Sequence, residues 1–104
     1  MIYEERDYRV KAGKLAEFVR LYGEHGLPLQ KEHLGTFIGY FTTEIGELNH
    51  VVALWSYQSL DERAAKRKAM AADPRWQDYL RRVDGLLDIQ NSRILMPVAY
   101  SPLQ

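Results

Sequence analysis

Three side chains with chemical potential alternate near the start of the chain, Glu4, Arg6 and Tyr8. Residues at positions i, i+2 and i+4 of a strand point to the same face, so a carboxylate, a guanidinium and a phenol are expected side by side. The arginine of such a group can orient an anionic ligand, and the carboxylate can accept a proton. The alternative is an ion pair with a structural role, in which each charge satisfies the other.

The chain has three histidines, His25, His33 and His50, and no cysteine. None of them has the spacing of a metal-binding motif such as H-E-x-x-H, so we predict no metal site. His25 lies beside a predicted helix break, where a neutral imidazole could reach a cavity mouth and transfer a proton near neutral pH. The weak candidates for catalytic residues are therefore Glu4, Arg6 and His25.

Length and charge limit the class of protein. The 104 residues suffice for one domain, residues 1–104, and fourteen basic side chains offset fourteen acidic ones. A neutral chain lacks the excess of positive charge that nucleic-acid binding requires, so we expect no nucleic-acid partner. We also expect no membrane span, because no apolar run is long enough, and a cytoplasmic location, because the first residues lack the pattern of a secretory signal.

The first half of the chain predicts a strand, a helix and a second helical piece. Alternation over Ile2 to Val10 indicates the strand. Apolar residues at helical spacing follow from Leu15 onward. Because the residue before a proline is disfavoured in the α region, we predict a kink or break near Gly26-Leu27-Pro28, with a short segment to His33.

The second half predicts a β-hairpin, a capped helical region and a last strand. Apolar runs at residues 36–43 and 50–57 flank a Gly- and Asn-containing turn. Ser59 and Glu62 have the spacing of a capping box, and Asp73-Pro74 repeats the start signal of a helix. Ile89 to Val98 read as a strand near one edge of the sheet.

The predicted order β-α-β-β-α-β is typical of a ferredoxin-like α+β sandwich, with helices on one face of an antiparallel sheet. Strict alternation, however, makes both faces of the hairpin apolar. A monomer would expose large side chains together, so we expect a second copy to cover the open face in a homodimer. One set is Ile38, Tyr40, Val52 and Leu54, and the other is Phe37, Phe41, Val51, Trp55 and Tyr57.

Two helical patterns are interpreted as structural. The basic run Arg63–Lys68 is interleaved along its helix with acidic residues, which favours a solvated face over a binding patch. The stripe formed by Trp76, Tyr79, Leu80 and Val83 favours a core-facing helix over a cofactor site.

Several stretches of the chain resemble the NIPSNAP family. They include Ile2-Tyr3-Glu4, the break at His25-Gly26-Leu27-Pro28, the hairpin Gly39–Asn49, Trp55-Ser56-Tyr57 and Asp73-Pro74 followed by Trp76. The resemblance implies a dimeric α/β barrel, in which two ferredoxin-like sheets close face to face. It also implies that Glu4, Arg6, Tyr8, Trp55 and Tyr57 point into that barrel, away from the helices. Many relatives carry a histidine where this chain has Ala53, which argues against haem, and we predict no cofactor.

The sequence therefore favours a homodimeric barrel protein that binds a small organic ligand, aromatic or anionic, in the barrel cavity. The expected ligand-binding residues are Glu4, Arg6, Tyr8, Trp55 and Tyr57. One alternative is a cofactor-independent monooxygenase or isomerase, in which Arg6 stabilises an enolate or oxyanion while Glu4 or His25 takes the proton. The other alternative is a non-catalytic scaffold, in which side chains fill the barrel.

Overall fold

The computed structural model describes residues 1–104 and contains one four-stranded sheet. The strands are β1 (Ile2–Val10), β2 (Thr36–Thr42), β3 (His50–Tyr57) and β4 (Leu87–Leu95), in the order β2-β3-β1-β4. Every neighbouring pair is antiparallel. Helices connect β1 to β2 and β3 to β4, so the predicted ferredoxin-like α+β fold is confirmed. The sheet itself stays open rather than closing into a barrel.

The first connection stays helical throughout. It consists of α1 (Leu15–Leu21), a π-helical turn (Tyr22–Gly26) and α2 (Leu27–His33). The chain does not break, since Leu27 keeps helical angles of φ −60° and ψ −44° although Pro28 follows it. The regular α-helix is nevertheless interrupted at the predicted place, and the second segment ends at His33 as expected. The N–H of Leu27 donates to the carbonyl of Tyr22, five residues earlier, and this wider turn carries the helix past the proline.

The second connection contains α3 (Leu60–Ala71) and α4 (Pro74–Arg82), and both begin where the sequence predicts. The hydroxyl of Ser59 accepts a hydrogen bond from the backbone N–H of Glu62 at 3.0 Å. The carboxylate of Asp73 accepts one from the N–H two residues later, at 2.9 Å. Each cap satisfies an amide that has no partner inside its helix, which defines the first turn of the helix.

A β-bulge in β2 changes the side to which its residues point. Phe37 pairs with Trp55, and Tyr40 pairs with Ala53. Tyr40 follows Phe37 by three positions on β2, whereas their partners on β3 are only two positions apart. The extra residue lies at Ile38, where the register shifts. Phe37 and Tyr40 therefore lie on the same face, and the strict alternation predicted for the hairpin is wrong on this strand.

The two faces of the sheet differ sharply in burial. The face under the helices holds the buried strand residues Ile2, Glu4, Val10, Val51, Ala53, Trp55 and Tyr57. The opposite face is open, and at least 41% of the surface is exposed in each of its large apolar residues Ile38, Phe41, Ile89 and Leu95. None of the helices is both long and apolar enough to cross a membrane.

The orientation expected for the candidate site residues is therefore wrong. Glu4, Arg6 and Tyr8 pair in register with Trp55, Ala53 and Val51, and this whole set lies under the helices rather than on the open face. Glu4 can be buried there because Arg63 of α3 compensates its charge, a contribution that strand alternation alone does not reveal.

Candidate functional site

The carboxylate of Glu4 is the centre of a buried ionic network. Glu4 has no exposed surface, yet its two oxygens accept four hydrogen bonds. Arg63 donates from Nε at 3.1 Å and from Nη2 at 2.7 Å, Arg6 donates from Nη1 at 2.9 Å, and the Ser92 hydroxyl donates at 2.6 Å. Donors from three different elements thus satisfy a charge that would otherwise be costly to bury.

These contacts keep Glu4 ionised. Burial by itself raises the pKa of a carboxyl group, but the hydrogen bonds from Arg63 and Ser92 and the charge of Arg6 lower the pKa of Glu4 to about 2. A carboxylate with this pKa and four donors is a poor proton acceptor at neutral pH. The geometry therefore supports the alternative in which Glu4 and Arg6 form an ion pair with a structural role.

Arg6 connects the network to a neighbouring phenol. Its Nε donates to the hydroxyl of Tyr8 at 2.6 Å, and its guanidinium carbon lies 5.2 Å from the centre of the same ring. Burial lowers the pKa of Arg6, but Tyr8 and Glu4 outweigh that effect and the pKa is raised. An arginine has five N–H donors, and these two bonds leave several of them available.

A cavity of about 510 Å³ opens between the sheet and the helices, next to Arg6 and Tyr8. Its size lies within the usual range for small-molecule sites. Side chains from all four strands and from the helices of both connections line it. The strand residues are Arg6, Tyr8, Tyr40, Val51, Ala53, Leu87 and Gln90, and the helical ones include Phe18, Tyr22, Gln30, Arg67, Trp76, Tyr79 and Leu80.

Aromatic rings form much of the cavity wall. Tyr22 stacks on Tyr40 with ring centres 4.5 Å apart and lies 6.2 Å from Tyr79, which in turn lies 5.0 Å from Trp76. The Tyr22 hydroxyl donates to the side-chain carbonyl of Gln30 at 2.5 Å. Burial raises the pKa of Tyr22, Tyr40 and Tyr79, so these phenols are neutral at physiological pH. The bulge in β2 is what brings Tyr40 into this wall.

The structure brings together only part of the predicted site. Arg6 and Tyr8 line the cavity, whereas Glu4, Trp55 and Tyr57 do not, and at most 1% of the surface of each is exposed. Trp55 packs at 5.0 Å from the ring of Phe37, in a second core cluster that also holds Tyr57. His25 also lies away from the cavity lining, with Nε2 3.6 Å from the Glu24 carboxylate.

Sequence reasoning missed two arginines of α3. Arg63 reaches Glu4, and Arg67 lines the cavity, although the basic run was interpreted as a solvated face. The signal was present in the spacing, because Arg63, Arg67 and the buried Met70 stand at i, i+4 and i+7 and so share one face of a helix. Within the same run, Lys68 is exposed as predicted.

Histidines and acidic residues do not come together as a metal site. No group of three or more His, Cys, Asp or Glu side chains is placed to hold a metal ion. His33 instead contacts Asp73 at 2.8 Å, and His50 contacts Asp7 at 2.6 Å. Both histidines therefore have carboxylate partners outside the cavity.

Comparison with known proteins identifies the family. The sequence model described as NIPSNAP matches residues 3–102, which is nearly the whole chain. The chain belongs to the NIPSNAP family. Protein NipSnap of Drosophila melanogaster is 31% identical over 99% of the chain, and protein NipSnap homolog 3A of Homo sapiens is 33% identical over 100% of it. The chain spans 37% and 42% of the length of these two curated relatives.

Solved structures of bacterial NIPSNAP proteins share the fold over their full length. A NIPSNAP family protein from Agrobacterium tumefaciens is 45% identical, with a TM-score of 0.95 and coverage of 99% of this chain and 98% of that one. A Nitrosomonas europaea protein assigned to the antibiotic biosynthesis monooxygenases is 12% identical, with a TM-score of 0.70 and coverage of 94% and 99%. At that identity the likeness shows a shared fold alone.

The NIPSNAP chain thus combines a saturated ionic network with an adjoining cavity. The network of Glu4, Arg6 and Arg63 ties the sheet to α3, while the free donors of Arg6 and the phenol of Tyr8 adjoin the aromatic wall. Such a cavity can hold a planar apolar group, orient a polar oxygen through Arg6 and exclude water from both.

Proposed function

We propose that this NIPSNAP protein binds a small organic ligand, aromatic or anionic, in the cavity between its sheet and its helices. The observation that carries the proposal is the cavity itself, about 510 Å³ in volume with Arg6 in its lining. Apolar and aromatic walls with a few convergent polar groups are the usual composition of a ligand site. Within it, Arg6 and Tyr8 bind the polar part of the ligand, and Tyr40 and Tyr79 bind the ring.

A variant that fills the cavity tests the proposal. Ala53 lines the cavity at the middle of β3, so Ala53→Leu places a larger side chain where the ligand would lie. Ala64→Leu makes the same change on the exposed side of α3 and serves as the matched control. Thermal denaturation is measured for all three proteins in the presence of a panel of small aromatic acids, amides and phenols.

We expect at least one compound to raise the melting temperature of the wild type and of Ala64→Leu but not that of Ala53→Leu. Equal stabilisation of all three proteins would place binding elsewhere. If no compound in the panel stabilises the wild type, the result would favour the non-catalytic scaffold, in which the protein only presents its surface to a partner protein.

A second candidate function is cofactor-independent oxygenation or isomerisation. The observation that favours it is the guanidinium of Arg6 in the lining of an aromatic cavity, where it can stabilise an enolate or phenolate oxygen. Glu4 and His25 are poorly placed as bases, so the substrate would have to be a readily ionised phenol or enol. The test is dioxygen consumption with such substrates by the wild type and by Arg6→Met. Uptake that is equal in both proteins would contradict a role for Arg6.

We also propose that the protein is a homodimer whose subunits pack through the open faces of their sheets. Support comes from the apolar side chains of that face, among them Ile38 and Phe41, which are 42% and 54% exposed. Covering them with a second copy removes apolar surface from water at both subunits. A cytoplasmic location stays a prediction of the sequence.

A further inference from the structure

Arg67 is the one cation near Glu4 that has no carboxylate partner. Its Nη1 nitrogen is buried and lacks any hydrogen-bond partner, and its side chain lines the same cavity as Arg6. Arg63, one turn earlier on α3, is fully engaged with Glu4. Because the Arg67 side chain lines the cavity and no carboxylate engages its guanidinium, an oxygen-bearing group in the cavity beside it is favoured.

The charges around Arg67 indicate that the oxygen-bearing group in the cavity is an anion. Arg6 and Arg63 share the single carboxylate of Glu4, and Arg67 next to them has no carboxylate partner, which leaves an excess of positive charge at this end of the cavity. Burial and, after it, the charge of Arg6 lower the pKa of Arg67, and the charge of Glu4 opposes them only in part. The one acidic side chain of the lining, Asp84, is exposed and follows α4 in the chain. An anion bound between the guanidinium groups of Arg6 and Arg67 would offset the charges of both.

The hydroxyl of Tyr57 lies close to Arg67, although Tyr57 does not line the cavity. Burial raises the pKa of Tyr57, and the nearby charge of Arg67 partly opposes that rise. The hydroxyl has no partner at ordinary hydrogen-bond geometry, and its one polar contact is a weak hydrogen bond from Arg67.

We infer that Arg67 and Arg6 form the anion-binding end of the cavity, and that the ligand is an aromatic carboxylate. Its carboxylate accepts from the guanidinium of Arg67, and its ring lies against Tyr40, Tyr79 and Trp76. This inference rests on the proposed function and narrows it to one chemical class. A carboxylate suits the site because a guanidinium matches its planar geometry and the remaining walls are mainly aromatic and aliphatic.

A pair of probes that differ in charge but hardly in shape tests the inference. Benzoate and benzamide are titrated separately into the wild-type protein, and the shifts of backbone amide resonances are followed by NMR. Shifts at Tyr8, Ala53 and Val83 report binding within the cavity. The same titrations are made with Arg67→Met, which removes the charge, and with Lys68→Met, which removes a charge from the exposed neighbour on α3.

We expect benzoate to bind the wild type about tenfold more tightly than benzamide, because only benzoate forms the charged contact. The preference should disappear in Arg67→Met and persist in Lys68→Met. If Arg67→Met does not fold, Arg67→Gln carries the same comparison. Equal binding of the two probes to the wild type, or an unchanged preference in the Arg67 variant, would overturn the anion site while leaving cavity binding intact. If neither probe shifts the cavity resonances, the aromatic-carboxylate inference fails, and failure of the whole panel of aromatic acids, amides and phenols to stabilise the wild type would overturn the proposed function as well.

Discussion

The guanidinium of Arg63 forms two hydrogen bonds to the carboxylate of Glu4, with Nε at 3.1 Å and Nη2 at 2.7 Å. The two residues are 59 positions apart in the chain, and their contact joins β1 directly to α3. Because Arg67 follows Arg63 by one helical turn, the same contact holds Arg67 over the cavity. The ion pair predicted between Glu4 and Arg6 is therefore part of a larger network that positions a helix.

Removing Arg63 is expected to destabilise the fold. In Arg63→Met, Glu4 keeps Arg6 and Ser92 but loses its bidentate partner, and we expect a loss of about 2 kcal/mol in the free energy of unfolding. Urea denaturation measures it. Lys66→Met, on the same helix, removes only a partly exposed ion pair with Glu62 and should leave the urea midpoint nearly unchanged. Equal effects of the two substitutions would show that the Glu4–Arg63 contact is energetically unimportant.

The stability of the protein should fall in acid through Glu4. Its pKa is lowered from 4.5 to about 2 in the folded state, so its contribution is fully present above about pH 4.5 and is lost as the pH falls toward 2. A shift of this size corresponds to on the order of 3 kcal/mol. Denaturation of the wild type and of Glu4→Gln is compared between pH 2 and pH 6.

We expect the slope of stability against pH to be shallower in Glu4→Gln than in the wild type over that range. Glu44→Gln, at an exposed position outside the network, is the control and should follow the wild-type slope. Parallel curves for the wild type and Glu4→Gln would mean that other carboxylates carry the acid sensitivity.

Gly26 is required where the π-helical turn passes over the ring of Tyr79. A Cβ atom at Gly26 would lie 2.7 Å from Cζ of Tyr79 and 2.8 Å from Cδ1 of Tyr22, closer than packed atoms allow. Gly26→Ala should therefore destabilise the protein by about 1–3 kcal/mol and displace the cavity wall. Gly23→Ala, in the same turn with no atom within 4 Å, should be neutral or stabilising. The melting temperatures of the two variants are compared by thermal denaturation. A higher melting temperature for Gly26→Ala than for Gly23→Ala would contradict this packing.

The proposed homodimer depends on the open face of the sheet. Phe41→Lys places a charge among the exposed apolar side chains of that face and should convert a dimer of about 24 kDa, twice the 12.1 kDa of one chain, into monomers. Light scattering after gel filtration measures the mass. Leu103→Lys, exposed in the C-terminal tail, is the control. A wild-type mass near 12.1 kDa would refute the dimer.

Local signals account for the parts of the fold that were predicted correctly. Ser59 and Asp73 determine helix starts through contacts with residues two or three positions away, and alternation identifies β1 and β3. The bulge at Ile38 could not be predicted, because it depends on how β2 pairs with β3 rather than on its own residue types. The bulge also decides which aromatic side chains enter the cavity.

By itself, the sequence determined the order of the elements, the helix starts, the family and the placement of Glu4, Arg6 and Tyr8 on one face. These properties follow from the spacing of residues that are near each other in the chain. Only the tertiary structure decided which face the helices cover and that Arg63 and Arg67 lie against it, because those contacts join residues about 60 positions apart. The cavity, and the unpaired nitrogen of Arg67 beside it, exist only once α3 and α4 have packed on the sheet.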